Sequence, residues 1–351
     1  MFEELLQGVG EWLKGRGPDS DIVISTRIRI ARNLDIFPFP NRISTSEADK
    51  LFRNLQEAAG KSKTLKQLKF FRMEDIEPLD REFLVERHLI SQEHALWPKN
   101  KAVMLSEDEI ISIMVNEEDH LRIQVIKSGF DFVTGYRLAS KVEDEIARKV
   151  KFAFHSDIGF LTACPTNVGT GLRVSAMVHL PALIITKRVN KILEFVSKLS
   201  FAARGFLGEG TQAIGNFFQI SNQVTLGLGE EEIIDNLSSV IRQLRRQEIE
   251  ARRYMMTKFR YSLEDRIWRA LGILKTARII SSQETLQHLS LLRLGMDLGI
   301  IKGLSKELLN NIYISIQPAH LQKLQERKLS HAERDIIRGN LLREKLGGIS
   351  V

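Results

Sequence analysis

From about residue 21 to 229 the chain alternates apolar and polar residues with period two, punctuated by glycines and short helical stretches. From Glu230 onward the period is helical almost throughout. That change of period confines the chain to an α/β (α+β) plan, a sheet with covering helices followed by a helical region. Strands are expected at 22–32, 111–115, 121–126, 171–180 and 217–221, with helices at 46–59, 137–151 and 187–200. Apolar strands joined by tight turns imply a mainly antiparallel sheet. The helical region is expected at 231–258, 263–276, 282–289 and 331–346. At about 150 residues per domain, 351 residues accommodate two domains, expected at 1–255 and 256–351.

With 43% hydrophobic and 27% charged residues, wholesale disorder is excluded. The net charge of +7 and a pI near 9.4 favour anionic partners: phosphate esters, nucleic acid or acidic protein surface. The single cysteine, Cys164, cannot form an intrachain disulfide, and no Cys/His spacing matches a zinc site, so a reducing, cytoplasmic setting is expected. Glu3, Glu4 and Glu11 are unlike the start of a signal peptide. The longest apolar stretches are broken by Pro181, Lys187 and Arg188, so no membrane span is expected.

Four segments carry chemistry. In residues 24–30, alternation places Ile24, Ile28 and Ile30 on one strand face and Ser25, Arg27 and Arg29 on the other. Such a pair of guanidiniums is either a solvated face or a donor site. Residues 116–120, Asn-Glu-Glu-Asp-His, form an acidic turn between two apolar strands, with Arg122 on the return strand. Three adjacent carboxylates repel one another, so this turn binds a cation or metal, or is simply hydrated. Residues 163–173 form a glycine- and hydroxyl-rich loop holding Cys164, followed by a strand on which Arg173, Ser175, Met177 and His179 share a face. Its glycines permit close backbone approach to a ligand, and Cys164 is either an inert thiol or one activated by arginines. Residues 204–211 place Arg204 and Glu209 on a glycine-rich loop. Gly208, Gly210 and Ala213 formally match a dinucleotide fingerprint, but the strand-to-helix setting is missing. The P-loop, the protein-kinase loop signatures and the HExxH zinc motif are absent. Convergence of Arg27, Arg29, Arg122, Arg173 and Arg204 in one cleft would supply permanently charged donors to a polyphosphate. Carboxylates in that cleft become useful if the second substrate is a cation.

In order and spacing these four segments resemble the phosphagen (guanidino) kinase family. The resemblance implies an antiparallel sheet flanked by helices, with ATP and Mg²⁺ bound against the arginines and the metal held mainly by phosphates and water. Carried over by position, Ser25, Thr26, Arg27, Ile28, Arg29, His88, Arg122, Arg173, Val174, Ser175, Ala176 and Met177 match nucleotide-binding positions. So do Arg204, Gly205, Phe206, Leu207 and Gly208. Glu118 matches the carboxylate that clamps the guanidinium and acts as base, Glu209 its partner, and Cys164 the family's reactive cysteine.

In the small-molecule members a helical domain precedes the catalytic one and supplies a lid. Here the first arginine segment starts at Ser25, and the expectation is a site open to a side chain on a protein. This departure and the helical C-terminal region resemble the bacterial protein-arginine kinases. That likeness implies protein substrates bearing arginine, marking for a Clp-type protease, an activator protein and a homodimer built on the C-terminal helices. Arg334, Asp335 and Arg338 resemble the RDxxRA phosphoarginine-binding motif of those proteins, with Gly339 replacing alanine. The other reading is an ordinary charged helix face, and glycine inside a helix puts its local stability in question. Further alternatives are a kinase of free arginine, a catalytically silent phosphoarginine-binding regulator, and nucleic-acid binding by Arg242, Arg245, Arg246, Arg252, Arg253 and Lys258. Glu248 and Glu250 interrupt that last series, which favours a solvated helix face over a nucleic-acid surface.

Overall fold

Ile22, Ile24, Ile28 and Ile30 are almost completely buried, and the strand through them is the middle of the fold. The computed structural model describes residues 2–205 and 214–349. Its strands are β1 (Val23–Arg32), β2 (Lys69–Arg72), β3 (Ala102–Leu105), β4 (Ile111–Val115), β5 (Leu121–Ser128), β6 (Phe154–His155), β7 (Gly159–Phe160), β8 (Leu172–His179), β9 (Phe201–Gly205) and β10 (Phe217–Asn222). Eight of them form one sheet in the order β2-β3-β4-β5-β1-β8-β10-β9, with every neighbouring pair antiparallel. β6 and β7 form a separate hairpin.

One sheet face is apolar and covered by helices. Phe132–Ala147 lies on β1 and β5, and Glu230–Lys258 lies on β8 and β10. Arg32 shares the parity of Ile28 and Ile30, so its charge is buried among these helices. Glu143 at 2.5 Å and Glu230 at 3.7 Å neutralise it, and the ring of Phe160 sits 3.4 Å from the guanidinium carbon. Local signals set the flanking helices: Ser44 and Glu47 form a capping box, and Ala48, Leu51, Phe52 and Leu55 make the buried stripe of Thr45–Gly60.

The helical region packs into the same core as the sheet rather than standing apart from it. Helix Glu230–Lys258 ends at Phe259 (φ −136°, ψ 30°), where Arg260–Thr276 begins; the expected boundary at 255/256 falls in the last turn of the first helix. Buried polar groups tie the chain ends to this region. Arg293 donates to Asn310 Oδ1 and to the carbonyl of Ser20, both at 2.7 Å, and Asn310 donates to the carbonyl of Leu13 at 2.9 Å.

Several elements differ from the sequence expectation. β2, β3 and β9 lie outside the expected strands: β2 and β3 have four residues each and carry too few alternations to register, and 201–205, Phe-Ala-Ala-Arg-Gly, does not alternate. The helix expected at 282–289 continues as Ser282–Asp297; its second half is enclosed on all sides, Leu292, Arg293, Leu294 and Gly295 being buried, so the one-sided pattern disappears. The basic series on Glu230–Lys258 is partly internal. Arg245 pairs with Asp19 at 2.9 Å, and buried Arg252 pairs with Glu248 at 2.9 Å and Asp297 at 3.3 Å. No helix among the described residues is long and apolar enough to cross a membrane.

Glu248 is fully buried, and besides Arg252 it accepts from the amides of Ala182 at 3.1 Å and Leu183 at 3.0 Å. Glu248→Ala leaves Arg252 with Asp297 as its remaining carboxylate and strips the buried Ala182 and Leu183 amides of their acceptor, so we expect a loss of about 2–4 kcal/mol in urea unfolding; a loss below about 1 kcal/mol would show that the network is dispensable. Helix His331–Leu346 runs unbroken through Gly339, where a Cβ would come within 2.8 Å of the carbonyl oxygen of Arg278. Alanine gains about 0.5–1 kcal/mol of helix propensity, but that backbone contact must move. Gly339→Ala is therefore expected to destabilise by about 1 kcal/mol, and a raised melting temperature would contradict it.

Candidate active site

The strand registers decide which side chains meet. On β1 and β8, Arg29 lies opposite Arg173, Arg27 opposite Ser175 and Ser25 opposite Met177. On β1 and β5, Ala31 lies opposite Arg122 and Arg29 opposite Gln124. β10 places Gln219 opposite Met177 and Ser221 opposite Ser175, and β9 places Arg204 opposite Gln219. By the two-residue parity of strands, Arg27, Arg29, Arg122, Arg173 and Arg204 all stand on one face, the one opposite the isoleucines. Arg204 belongs to a strand, not to the loop expected for it, which aligns it with the others. Thr26, Ile28, Val174 and Ala176 have the other parity, so their side chains face the covered core. Gly205 ends β9. Phe206, Leu207, Gly208 and Glu209 lie outside the described residues.

This face is strongly electropositive. Burial, then the neighbouring Arg122, pushes Arg27 down to about 10. Arg29 is held well below the usual arginine range by burial, then by Arg122, Arg27 and Arg173; burial, then Arg204 and Arg122, lowers Arg173. Guanidiniums keep their protons at neutral pH, so the like charges repel one another across this face. Arg173 reaches Ser221 Oγ at 3.4 Å, but the Nε atoms of Arg29 and Arg173 are buried without a partner among the described residues. A polyanion fits this donor set on both counts.

The acidic turn divides its labour. Glu117, which sequence reasoning did not single out, accepts from Arg122 at 2.8 Å and from Ser91 Oγ at 2.7 Å. Burial opposes its charge, but Arg122 and these bonds outweigh burial and hold it below the usual carboxylate range. Asp119 accepts from Asn33 Nδ2 and from the Ala163 amide, both at 2.6 Å. The His120 amide donates to Asn33 Oδ1 at 2.8 Å, and its ring accepts from the Leu34 amide at 3.1 Å. These bonds fasten the turn to β1 and to the Cys164 loop. Glu118 is left exposed at the edge of the cleft. Its carboxyl is raised by burial and then by Asp119, against a hydrogen bond from the Cys164 thiol. Glu117, Glu118, Arg29, Arg122, Arg173 and Asn167 line this cleft together.

The glycines of the Cys164 loop serve packing first. Gly169 (φ +106°) would place a Cβ 2.4 Å from the Thr225 oxygen, and Gly171 (φ +61°) 2.7 Å from the Ala31 oxygen. Close approach is therefore to the protein's own backbone, although Gly171 also borders the cleft. Cys164 Sγ lies 2.9 Å from Thr166 Oγ1.

Toward the other end of β1, His88 takes a left-handed conformation (φ +61°), and Gln124 Nε2 donates to its carbonyl at 2.7 Å. Burial and then Arg27 push its imidazole down to about 3, so it is neutral at physiological pH. The C-terminal motif is elsewhere. Buried Arg338 donates to the carbonyls of Ile316 at 3.0 Å and Ile280 at 2.9 Å and pairs with Asp335, while Arg334 is half-buried. Arg334 and Arg338 both act on Glu86, which caps helix Pro318–Leu324 through the amides of Ala319 at 2.7 Å and His320 at 3.0 Å.

Residues 50–251 match the family described as ATP:guanido phosphotransferase, C-terminal catalytic domain. Residues 260–350 match the one described as Protein-arginine kinase McsB C-terminal domain. The protein-arginine kinase of Symbiobacterium thermophilum is 47% identical over 338 residues, covering 95% of this chain and 96% of that protein. That of Bacillus subtilis is 46% identical over 340 residues, 96% of this chain and 93% of that protein. Among solved structures, lombricine kinase superposes with a TM-score of 0.59 at 26% identity, covering 69% of this chain and 71% of that one. With its catalytic and C-terminal regions matched in sequence order, the chain belongs to the protein-arginine kinase family, on the guanidino-kinase fold.

Proposed function

We propose that the protein transfers the γ-phosphoryl group of MgATP to arginine side chains of proteins. The observation that carries this reading is the convergence of five arginines on one sheet face beside the exposed carboxylate of Glu118. The near full-length identity to proteins named protein-arginine kinase supports the acceptor. In this reading the catalytic region extends to about residue 255 and the C-terminal region, 256–351, is regulatory, with Arg334, Asp335 and Arg338 as its phosphoarginine contact.

The chemistry follows from the charges. An arginine guanidinium is a poor nucleophile because its pKa is above about 12. Glu118 docks it by charge and accepts its proton as the N–P bond forms and the bond from the γ-phosphorus to the bridging oxygen breaks. Glu209 is its proposed partner and Cys164 the thiol beside it. Arg29, Arg122 and Arg173 fix the phosphates and absorb the charge released on the ADP oxygen, so most of the catalysis is alignment and neutralisation. No group of three or more His, Cys, Asp or Glu among the described residues could hold a metal. Mg²⁺, held by phosphate oxygens and water, supplies further charge neutralisation when bound.

The test is incubation with MgATP and a basic protein, with detection of acid-labile N–P phosphate; label confined to Ser or Thr would end the proposal, and faster labelling of free arginine than of peptide arginine would redirect it. Glu118→Gln is expected to lower kcat by about 10²- to 10⁴-fold. Because the base must be ionised and its pKa is raised, wild-type activity should be full at high pH and fall as pH drops through that value. An acid limb unchanged in Glu118→Gln would assign the proton transfer elsewhere. Glu117→Gln frees Arg122 from its anchor, so kcat/KM for ATP should fall about tenfold or more while the protein stays folded; unaltered kinetics would make that ion pair irrelevant to the site.

A further inference from the structure

Glu117 and Glu118 line the arginine cleft, and both also line a separate groove of about 490 Å³. One wall of the groove is the loop carrying Pro40 and Ile43, another is the segment 99–101, and Asn116 is part of the lining. In-line transfer sets the acceptor opposite the leaving ADP. With the phosphates held by the arginines, an acceptor whose guanidinium docks on Glu118 extends away from them, into this groove.

The lining contains a buried acceptor with no donor. Asn116 follows β4 in a left-handed conformation (φ +59°) and is 3% exposed. Its Nδ2 donates to the carbonyl of Asn100 at 2.9 Å, which fixes the orientation of the amide, since a flipped side chain would set oxygen against oxygen. Oδ1 is then buried without a hydrogen-bond partner among the described residues. Such an atom is costly unless a ligand supplies the donor. Lys101 stands one step beyond the strand pair Ala102 and Val115, and so abreast of Asn116. Its ammonium donates to the carbonyl of Glu93 at 3.4 Å, a long bond that a closer acceptor would replace. An open acceptor beside a flexible donor complements a peptide unit, which offers one N–H and one C=O.

Both walls continue into exposed apolar side chains. Ile36, 68% exposed, lies four residues before Pro40, and Leu96 and Trp97, 61% and 72% exposed, lie just before Lys99. Free arginine also carries an ammonium and a carboxylate that could meet Asn116 and Lys101, but it has nothing to lay against these residues. A chain that continues past its arginine does.

We propose that this groove binds the main chain of an extended protein segment beside its target arginine, Asn116 Oδ1 accepting a backbone N–H and Lys101 donating to a backbone carbonyl. The inference rests on the reading that Glu118 docks the guanidinium, and it deepens that reading by naming what is recognised on the flank: peptide units rather than particular neighbouring side chains. A helical segment has its N–H and C=O groups bonded internally, so the groove selects acceptors whose backbone is extended and open.

The experiment measures kcat/KM with MgATP on the full-length protein for three acceptors: butylguanidine, free arginine, and a heptapeptide with one central arginine among alanines. The heptapeptide is expected to exceed the other two by about tenfold or more. N-methylation of its amides, one at a time, should raise KM about five- to tenfold at one position flanking the arginine. Asn116→Gly keeps the left-handed backbone and removes the acceptor, so that N-methylation penalty should vanish in it. Lys101→Met should lower the heptapeptide value about fivefold and leave butylguanidine and the KM for ATP unchanged. If Asn116→Gly does not fold, the N-methyl scan and Lys101→Met decide. An N-methyl scan without effect, an equal loss for heptapeptide and butylguanidine in Lys101→Met, or free arginine matching the heptapeptide overturns the proposal. Failure of the underlying reading has a different signature: no acceptor, a basic protein included, gains N–P phosphate from the wild type.

Discussion

The structure depends on one arrangement, like charges held side by side on a sheet whose other face is core. An antiparallel sheet sends alternate residues to opposite sides, so β1 delivers Ile28 and Ile30 to the interior and Arg27 and Arg29 to the cleft with the same backbone. Slipping the register by one residue would bury the arginines and expose the isoleucines, so the packing energy of the apolar face also enforces the charge cluster opposite it. Stability and site are specified by the same pairing.

Buried polar contacts extend this arrangement to the rest of the chain. Arg32, the one β1 arginine of core parity, is neutralised by Glu143 and Glu230 and so draws two helices onto the sheet. Arg252, Arg293 and Asn310 bind backbone carbonyls of Asp21, Ser20 and Leu13, which locks the N-terminal segment against the C-terminal helices. Each of these groups would be costly to leave unpaired, which makes the docking specific rather than merely adhesive.

Much of the arginine face of the candidate site was legible because strand parity is a local property. Ser25, Arg27 and Arg29 could be assigned to one face from seven residues, and Arg173, Ser175 and Met177 likewise. What sequence could not supply was pairing at a distance. Nothing in the run Glu117-Glu118-Asp119 distinguishes its members; Arg122, Ser91, Asn33 and Ala163 do so only once the turn has folded. The loop glycines read as ligand-facing because glycine tolerates close approach, but Gly169 approaches Thr225 and Gly171 approaches Ala31. Arg334 and Arg338 are four apart and read as one helix face, either a phosphoarginine contact or a plain charged surface, yet the carbonyls of Ile280 and Ile316 across the fold take up the Arg338 guanidinium.

The mutual repulsion on the arginine face has a consequence for handling the protein. Crowded, partly desolvated guanidiniums do not discriminate strongly among oxyanions, so sulfate or phosphate in a buffer becomes a competitor, and ionic strength alters the apparent affinity by screening. Measurements made in chloride and in phosphate then describe different starting states of one molecule: the first a cleft under electrostatic tension, the second a cleft already relaxed by a borrowed counter-ion.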